Sequence, residues 1–431
     1  MKPSPLCNLL WPLLAIPLQA ADWPEFQGEG RQNVWTETGI IQAFPAGGLR
    51  QKWSSPVAAG YGGPTVAGDS VFLMDRPDES HERIVCVNRE TGAPRWIHAY
   101  DCRYVQVGYG YGPRGSVTIR NGRAYAMGTM GNLHCLDAAT GKVIWAKDLM
   151  ASYKVDLPIW GLTNSPLVEG NHVIVQASAG EEGACLVAFD KANGAEKWRA
   201  FGDKASYVSP IMIQQAGKRV LVAWTGFRIA GLNAGTGEVY WEIETRPRKM
   251  PINVPGPALN ETGDRMFLSV FYDGSRMLEI DQTAPKARQL WARAGMNEHK
   301  TDALHAMISP PCFQGDHIYG IDSYGQMRCL DPVTGDRIWE DQTATAYGRW
   351  STVFMVRHGD HTWMLNEQGD LILAELSARG YREISRAKVI EPTTPLPQRE
   401  SGAVLWSPPA FANRCVYLRN DRELICVDLA E

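Results

Sequence analysis

Leu133-His134-Cys135-Leu136-Asp137-Ala138-Ala139-Thr140-Gly141-Lys142-Val143-Ile144-Trp145 reads as a strand, a tight turn and a return strand. A short Asp side chain bonds backbone amides within such a turn, and Gly141 takes the positive φ that the reversal demands. Trp145 then falls on the return strand. The same turn, Asp/Asn-x-x-Thr/Asn-Gly, recurs at Asn88 to Gly92, Asp190 to Gly194, Asn233 to Gly237 and Asp331 to Gly335, each followed four residues after the glycine by tryptophan. Counting Trp53 and Trp291, the tryptophans at 53, 96, 145, 198, 241, 291 and 339 lie 43, 49, 53, 43, 50 and 48 residues apart. Strand patterns such as Val71-Phe72-Leu73 and Ala124-Tyr125-Ala126 precede the turns. Ahead of those lies a second set of turns: Gly68-Asp69, Asn121-Gly122, Gly170-Asn171, Gly217-Lys218, Gly263-Asp264, Gly315-Asp316, Gly359-Asp360 and Ala412-Asn413.

Eight second turns mean eight units, and the period is that of a propeller blade. The expected fold is all-β: an eight-bladed β-propeller of four-stranded antiparallel blades, with strands A to D running outward. The repeat tryptophan sits on the outermost strand, where its large apolar surface seals one blade against the next. The fifth and seventh copies are degenerate, with Asp281-Gln282-Thr283-Ala284-Pro285 in place of the turn in one and no tryptophan near Ile384 in the other. The last copy stops after its third strand at Val427-Asp428-Leu429. A lone fourth strand from Leu49 to Trp53 has no blade before it, so the two are expected to pair and close the ring, leaving no exposed edge there. A propeller adds core by repetition, so residues 22–431 are read as one domain.

Residues 1–21 carry Lys2, an apolar core from Leu6 to Leu18 broken by Pro12 and Pro17, and small residues at Ala20 and Ala21, the pattern of a secretory signal peptide. The apolar run is shorter than the ~20 residues of a membrane span. A periplasmic or secreted monomer without a transmembrane segment is expected. Eight cysteines follow the leader, and an oxidising compartment raises the question of pairing. Counting outward from a turn at Asn420-Asp421 places Cys415 opposite Cys426, a candidate disulfide. Cys86, Cys135, Cys329 and Cys426 share one repeat position, where small buried side chains are the simpler reading than a metal site. The net charge of −4, with no basic run, excludes a nucleic-acid groove.

The stretch from Leu133 to Trp145 resembles the repeat of quinoprotein alcohol dehydrogenases and their non-enzymatic relatives along nearly the whole mature chain. The opening Asp22-Trp23-Pro24-Glu25-Phe26-Gln27-Gly28, with Thr38-Gly39-Ile40 after it, resembles secreted bacterial PQQ-binding-like propellers. The same repeat is found in the outer-membrane-protein assembly lipoprotein, a scaffold for protein partners that carries no quinone. The resemblance therefore implies the fold more strongly than the function. A quinone-dependent member implies a carboxylate base, calcium ligands from Glu, Asn and Asp and, commonly, adjacent cysteines. This chain has no Cys-Cys pair and no Cys-x-x-Cys-His. It also lacks Gly-x-Ser-x-Gly and His-Glu-x-x-His. Gly108-Tyr109-Gly110-Tyr111-Gly112 leads into a strand, where a phosphate loop would open a helix.

In a propeller the connections from strand D of one blade to strand A of the next converge on one end of the channel. Here they supply Tyr61, Tyr109, Tyr111, Arg114, Trp160, Asn164, Tyr207, Asn253, His305, Arg349, Trp350 and Trp406, an expected ligand funnel. Aromatic faces beside Arg114 and Arg349 suit a flat anionic ligand, a sugar ring or a peptide. Tryptophans plugging a narrow channel and arginines solvating its mouth are the competing reading. His299, Asp302 and His305 share one connection, but no metal is expected from them. Asp75, Asp78, Glu79, Glu181 and Glu182 are read as solvated loop charge. The function expected is non-catalytic binding of a small molecule, glycan or protein partner of the cell envelope, with no cofactor and no catalytic residue identified. The alternative is a PQQ-dependent dehydrogenase of an alcohol or sugar, with calcium.

Overall fold

The computed structural model describes residues 21–396 and 402–431. The leader read at residues 1–21 lies, but for its last residue, outside them. Eight four-stranded antiparallel sheets form one ring. Blade 1 comprises Thr65–Ala67, Ser70–Asp78, His81–Asn88 and Pro94–Asp101, and the pattern repeats through blade 7, which ends on Gly380–Lys388. Blade 8 is built from both ends of the chain: Ala410–Ala412, Cys415–Arg419 and Glu423–Asp428, with Gln51–Pro56 as its outer strand. Trp53 faces Cys426 across that seam. The closing strand thus starts two residues later than expected and runs three further. Among the described residues no helix is long and apolar enough to cross a membrane.

The turn motif proves to be half of a joint. Within a blade, Asp137 Oδ1 accepts the Thr140 amide and hydroxyl, and Asn88 and Asp331 bond their turns in the same way. Between blades, each repeat tryptophan lies against the turn of the following blade. The indole N–H of Trp53 donates to Arg89 O, that of Trp96 to Ala138 O, that of Trp145 to Lys191 O and that of Trp198 to Ala234 O, at 2.8 to 3.1 Å. In these four, and at Trp291 with Pro332 O, the acceptor is the residue after the Asp or Asn; toward the degenerate seventh blade Trp339 donates to Ser377 O at 2.7 Å. A tryptophan buried on its apolar face thereby satisfies its one polar group. The degenerate fifth blade breaks the rule, and Trp241 donates instead to Gln215 Oε1 at 2.9 Å.

Residues 22–44 occupy the lower end of the channel and its flank, a role the sequence reading did not assign. Trp23 forms a bridge with Val66 in blade 1, Val34 with Arg357 in blade 7 and Ile40 with Ala430 beside blade 8. Arg31, buried, donates to Glu25 and to the carbonyls of Ser165, Pro166 and Pro210, tying the segment to blades 3 and 4. Trp35 packs on Phe411 with centroids 5.0 Å apart and edge-on to Trp363 at 6.0 Å.

The expected Cys415–Cys426 pairing is corrected. Cys415 faces Asp428, and Cys426 faces Tyr417. The connection is longer than a two-residue turn, because Asn420 Oδ1 accepts the amides of Arg422 and Glu423 and opens the loop to residues 420–423. That moves the register by two, so the cysteines are diagonal neighbours whose thiols hydrogen-bond to each other, and both are free. Asp75 is also corrected: it is fully buried and receives two hydrogen bonds from Arg83, at 2.7 and 2.6 Å.

Candidate functional site

All eight connections between blades contribute to one cavity of about 150 Å³ at the upper mouth of the channel. Of the expected funnel, Tyr61, Tyr109, Arg114, Trp160, Tyr207, Trp350 and Trp406 line it. Tyr109 stands at the centre, with ring centroids 6.4 Å from Trp160, 6.0 Å from Trp350 and 6.4 Å from Trp406. Tyr109 and Trp350 both hold left-handed backbone, φ 51° and 64°. Such bulky residues take this region at a cost of about 1–3 kcal/mol each, which the surrounding packing must offset.

Tyr111, Asn164, Asn253, His305 and Arg349 do not line the cavity. Asn164 turns into the protein to bond both backbone groups of Gln176, at 3.2 and 3.0 Å. Asn253 donates to Thr225 O at 2.9 Å. His305 Nδ1 lies 2.9 Å from Phe271 O, and its Nε2 accepts the Gly295 amide at 3.0 Å, so both ring nitrogens serve the fold. Burial lowers its pKa and keeps the ring neutral. The lining positions are their neighbours Thr163, Ser165, Val254 and Met307. Selecting polar residues on each connection therefore chose the side chains that the buried backbone needs as partners. Asp302 pairs with Arg293, and His299 stands against Tyr324. Among the described residues no group of three or more potential ligands is placed to hold a metal ion.

The two expected cations differ in kind. Arg349 is neutralised by Glu298 through two hydrogen bonds, at 2.7 and 3.0 Å, and lies over Trp350. Burial raises the Glu298 carboxyl, but the bonds from Arg349 and Tyr324 outweigh it and leave its pKa below the ordinary value. Arg114 has no carboxylate partner among the described residues. It donates to the carbonyls of Gly112, Gly108 and Tyr109, at 3.0, 2.8 and 2.6 Å, and its guanidinium lies 4.9 Å from the Tyr61 ring centroid. Burial pulls the Arg114 pKa down, against the pull of Tyr61. No other charged side chain among the described residues lines the cavity.

Sequence alone also missed Phe26. It lines the upper cavity while its neighbours Glu25 and Gln27 line a second, lower one, so the N-terminal segment partitions the channel. The only signal was the Trp23-Pro24-Glu25-Phe26 opening, whose position in space no periodicity reveals.

Comparison with known proteins agrees with this architecture. The chain is 25% identical over 235 residues to the quinohemoprotein alcohol dehydrogenase of Comamonas testosteroni, covering 52% of this chain and 31% of that protein. It thus spans about a third of the curated relative's length. The crystal structure of that enzyme superposes with a TM-score of 0.65 at 14% identity, over 95% of this chain and 80% of the other. BamB from Moraxella catarrhalis superposes with a TM-score of 0.58 at 17% identity, over 88% of this chain and 97% of that one. At these identities the structural likeness is one of fold. A family model matches residues 80–341, more than half of the sequence, and by that match the chain belongs to the family described as outer membrane protein assembly factor BamB.

Proposed function

We propose that this chain is an exported, non-catalytic propeller whose upper pocket receives a compact, flat group bearing one negative charge, presented by a small molecule or by a partner protein. The observation that carries this reading is Arg114, a cation without a carboxylate partner among the described residues, in a wall of aromatic rings. Aromatic faces supply stacking, and a guanidinium supplies charge-assisted hydrogen bonds to a carboxylate. An apolar cavity of about 150 Å³ is large enough for a benzene-sized group. Val105, Ile159, Met296 and Tyr347 stand exposed on the surrounding connections and offer apolar contact to a protein partner. The family's described role in outer membrane protein assembly favours such a partner and an extracytoplasmic location.

The quinone-dependent alternative has less support. Among the described residues no Asp, Glu or His lines the cavity to act as a base, no group of side chains is placed to hold a metal ion, and a fused tricyclic quinone exceeds a one-ring space. The pocket residues do not fit the cofactor with its calcium.

Calorimetric titration with benzoate and with benzamide tests the proposal. Benzoate is expected to bind at least about tenfold more tightly, ~1.4 kcal/mol, and Arg114→Gln to remove the difference. Equal affinity for the two probes, or dye reduction dependent on PQQ and calcium with an alcohol or sugar, would overturn it.

A further inference from the structure

The lower cavity is the larger of the two, about 760 Å³, and is walled by residues 25, 27 and 29–34 and by the inner strands of blades 3 to 6. Four arginines line it, and three are saturated. Arg31 bonds Glu25 and three carbonyls. Arg120 bonds Glu25 and Glu29, and Arg219 grips Glu169 with two bonds. Arg357 differs. Its side chain is 19% exposed, yet its guanidinium makes no hydrogen bond to a described residue, and its Nε is enclosed without a partner. The nearest carboxylate, Glu261, stands 3.9 Å away on a side chain 73% exposed. A guanidinium carries five donors, and enclosing even one of them, here Nε, without an acceptor is costly. Its backbone is held on both sides, the amide donating to Asn33 O and the carbonyl accepting the Trp35 amide. The charge is felt across the wall: burial pushes the Cys312 thiol up to about 11, and Arg357 pulls against it.

The walls also favour one kind of occupant. The chain's own N-terminal segment lays its main chain on the inner strand of blade 1 at Trp23–Val66 and on that of blade 7 at Val34–Arg357. The inner strands Leu167–Glu169, Ile211–Gln215, Ala258–Leu259 and Cys312–Gln314 carry no such bridge among the described residues and face the cavity. A strand edge with open backbone groups accepts an extended peptide. Gln214 adds an amide that both donates and accepts, whereas the amides of Asn260 and Gln282 are engaged in their own turns.

We infer that the lower cavity is a second binding site, which takes an extended peptide and pairs its carboxylate with Arg357. A chain terminus and an acidic side chain present the same group, and the experiment separates them. The mature protein would be incubated with two randomised hexapeptide pools, one with free C-termini and one amidated, and retained peptides sequenced. Preferential retention of free termini assigns the carboxylate to the chain end; retention from the amidated pool of peptides containing Asp or Glu assigns it to a side chain. In either case Arg357→Gln should reduce retention at least about tenfold, ~1.4 kcal/mol, and Arg379→Gln, on an exposed side chain that lines neither cavity, should leave it unchanged. Glu261→Gln, on an exposed side chain that leaves the fold intact, should raise it by removing the competing carboxylate. Retention indifferent to Arg357, lowered by Glu261→Gln, or absent from both pools would overturn the proposal.

Discussion

Gly141 and Gly122 share the same backbone angle, φ 71°, but not the same surroundings. A Cβ on Gly141 would lie 2.6 Å from the Trp96 ring, whereas one on Gly122 would meet nothing within 4 Å. Alanine in left-handed backbone costs roughly 1–2 kcal/mol at either site. At Gly141 it must also displace Trp96 and strain the indole bond to Ala138, an overpacking worth about 1–3 kcal/mol more. Gly141→Ala is therefore expected to lower stability beyond Gly122→Ala by that second amount, read from urea midpoints at constant m. Equal losses would mean that the turn needs glycine for its angle alone. At this scale the motif was legible as a turn, but its second duty under the neighbouring tryptophan was not, because that contact joins residues of different blades. Asn253 and His305 make the same point in reverse: their polarity was visible, and the direction of their side chains was not.

Between blades 1 and 2 the outer strand Pro94–Asp101 and the strand Asn132–Asp137 bring His98 and His134 to 5.0 Å between ring centroids, with Tyr100 4.3 Å from His134. Burial, and then the charge of His98, lower the His134 pKa from 6.5 to about 4. The unfolded chain therefore binds a proton before the folded one does. The contribution of neutral His134 is complete above pH 6.5 and is lost as pH falls toward 4, for a total of about 3 kcal/mol. Urea midpoints are expected to fall between pH 7 and pH 4.5, and His134→Gln to flatten that slope; an unchanged slope would place the acid sensitivity elsewhere. In blade 8 Cys415 and Cys426 are free thiols in contact with each other. Thiol titration is expected to find eight groups from Cys86 to Cys426 in denaturant and almost none in the native protein, since all are buried. Six in denaturant would mean that the pair is bridged.

The ring is closed by four strands drawn from opposite ends of the sequence, with Gln51–Pro56 hydrogen-bonded to Glu423–Asp428. Removing residues 422–431 deletes the strand that joins them, uncovering an edge on each side of the break. Such a truncation is expected to lose cooperative unfolding and to aggregate, as judged by light scattering and near-UV circular dichroism. A monomeric, cooperatively folding product would mean that the seam is dispensable. The N-terminal segment adds a second tie, through Trp35 against Phe411 and Trp363 and through Glu37, which accepts the amides of Asn413 and Arg414. Trp35→Ala is expected to cost about 3–5 kcal/mol.

The sequence by itself determined the number of blades, the four-stranded pattern, the tryptophan position and the closure, because each follows from short-range periodicity repeated along the chain. It also placed seven of the side chains that line the upper cavity on the right connections. Only the tertiary structure decided that, among the described residues, Arg114 lacks a carboxylate while Arg349 has one, that Phe26 divides the channel, and that the Nε of Arg357 lies enclosed without an acceptor. Each of these depends on contacts between blades or across the axis, where side-chain direction and the path of the N-terminal segment are set by packing and by the need to pair buried backbone groups.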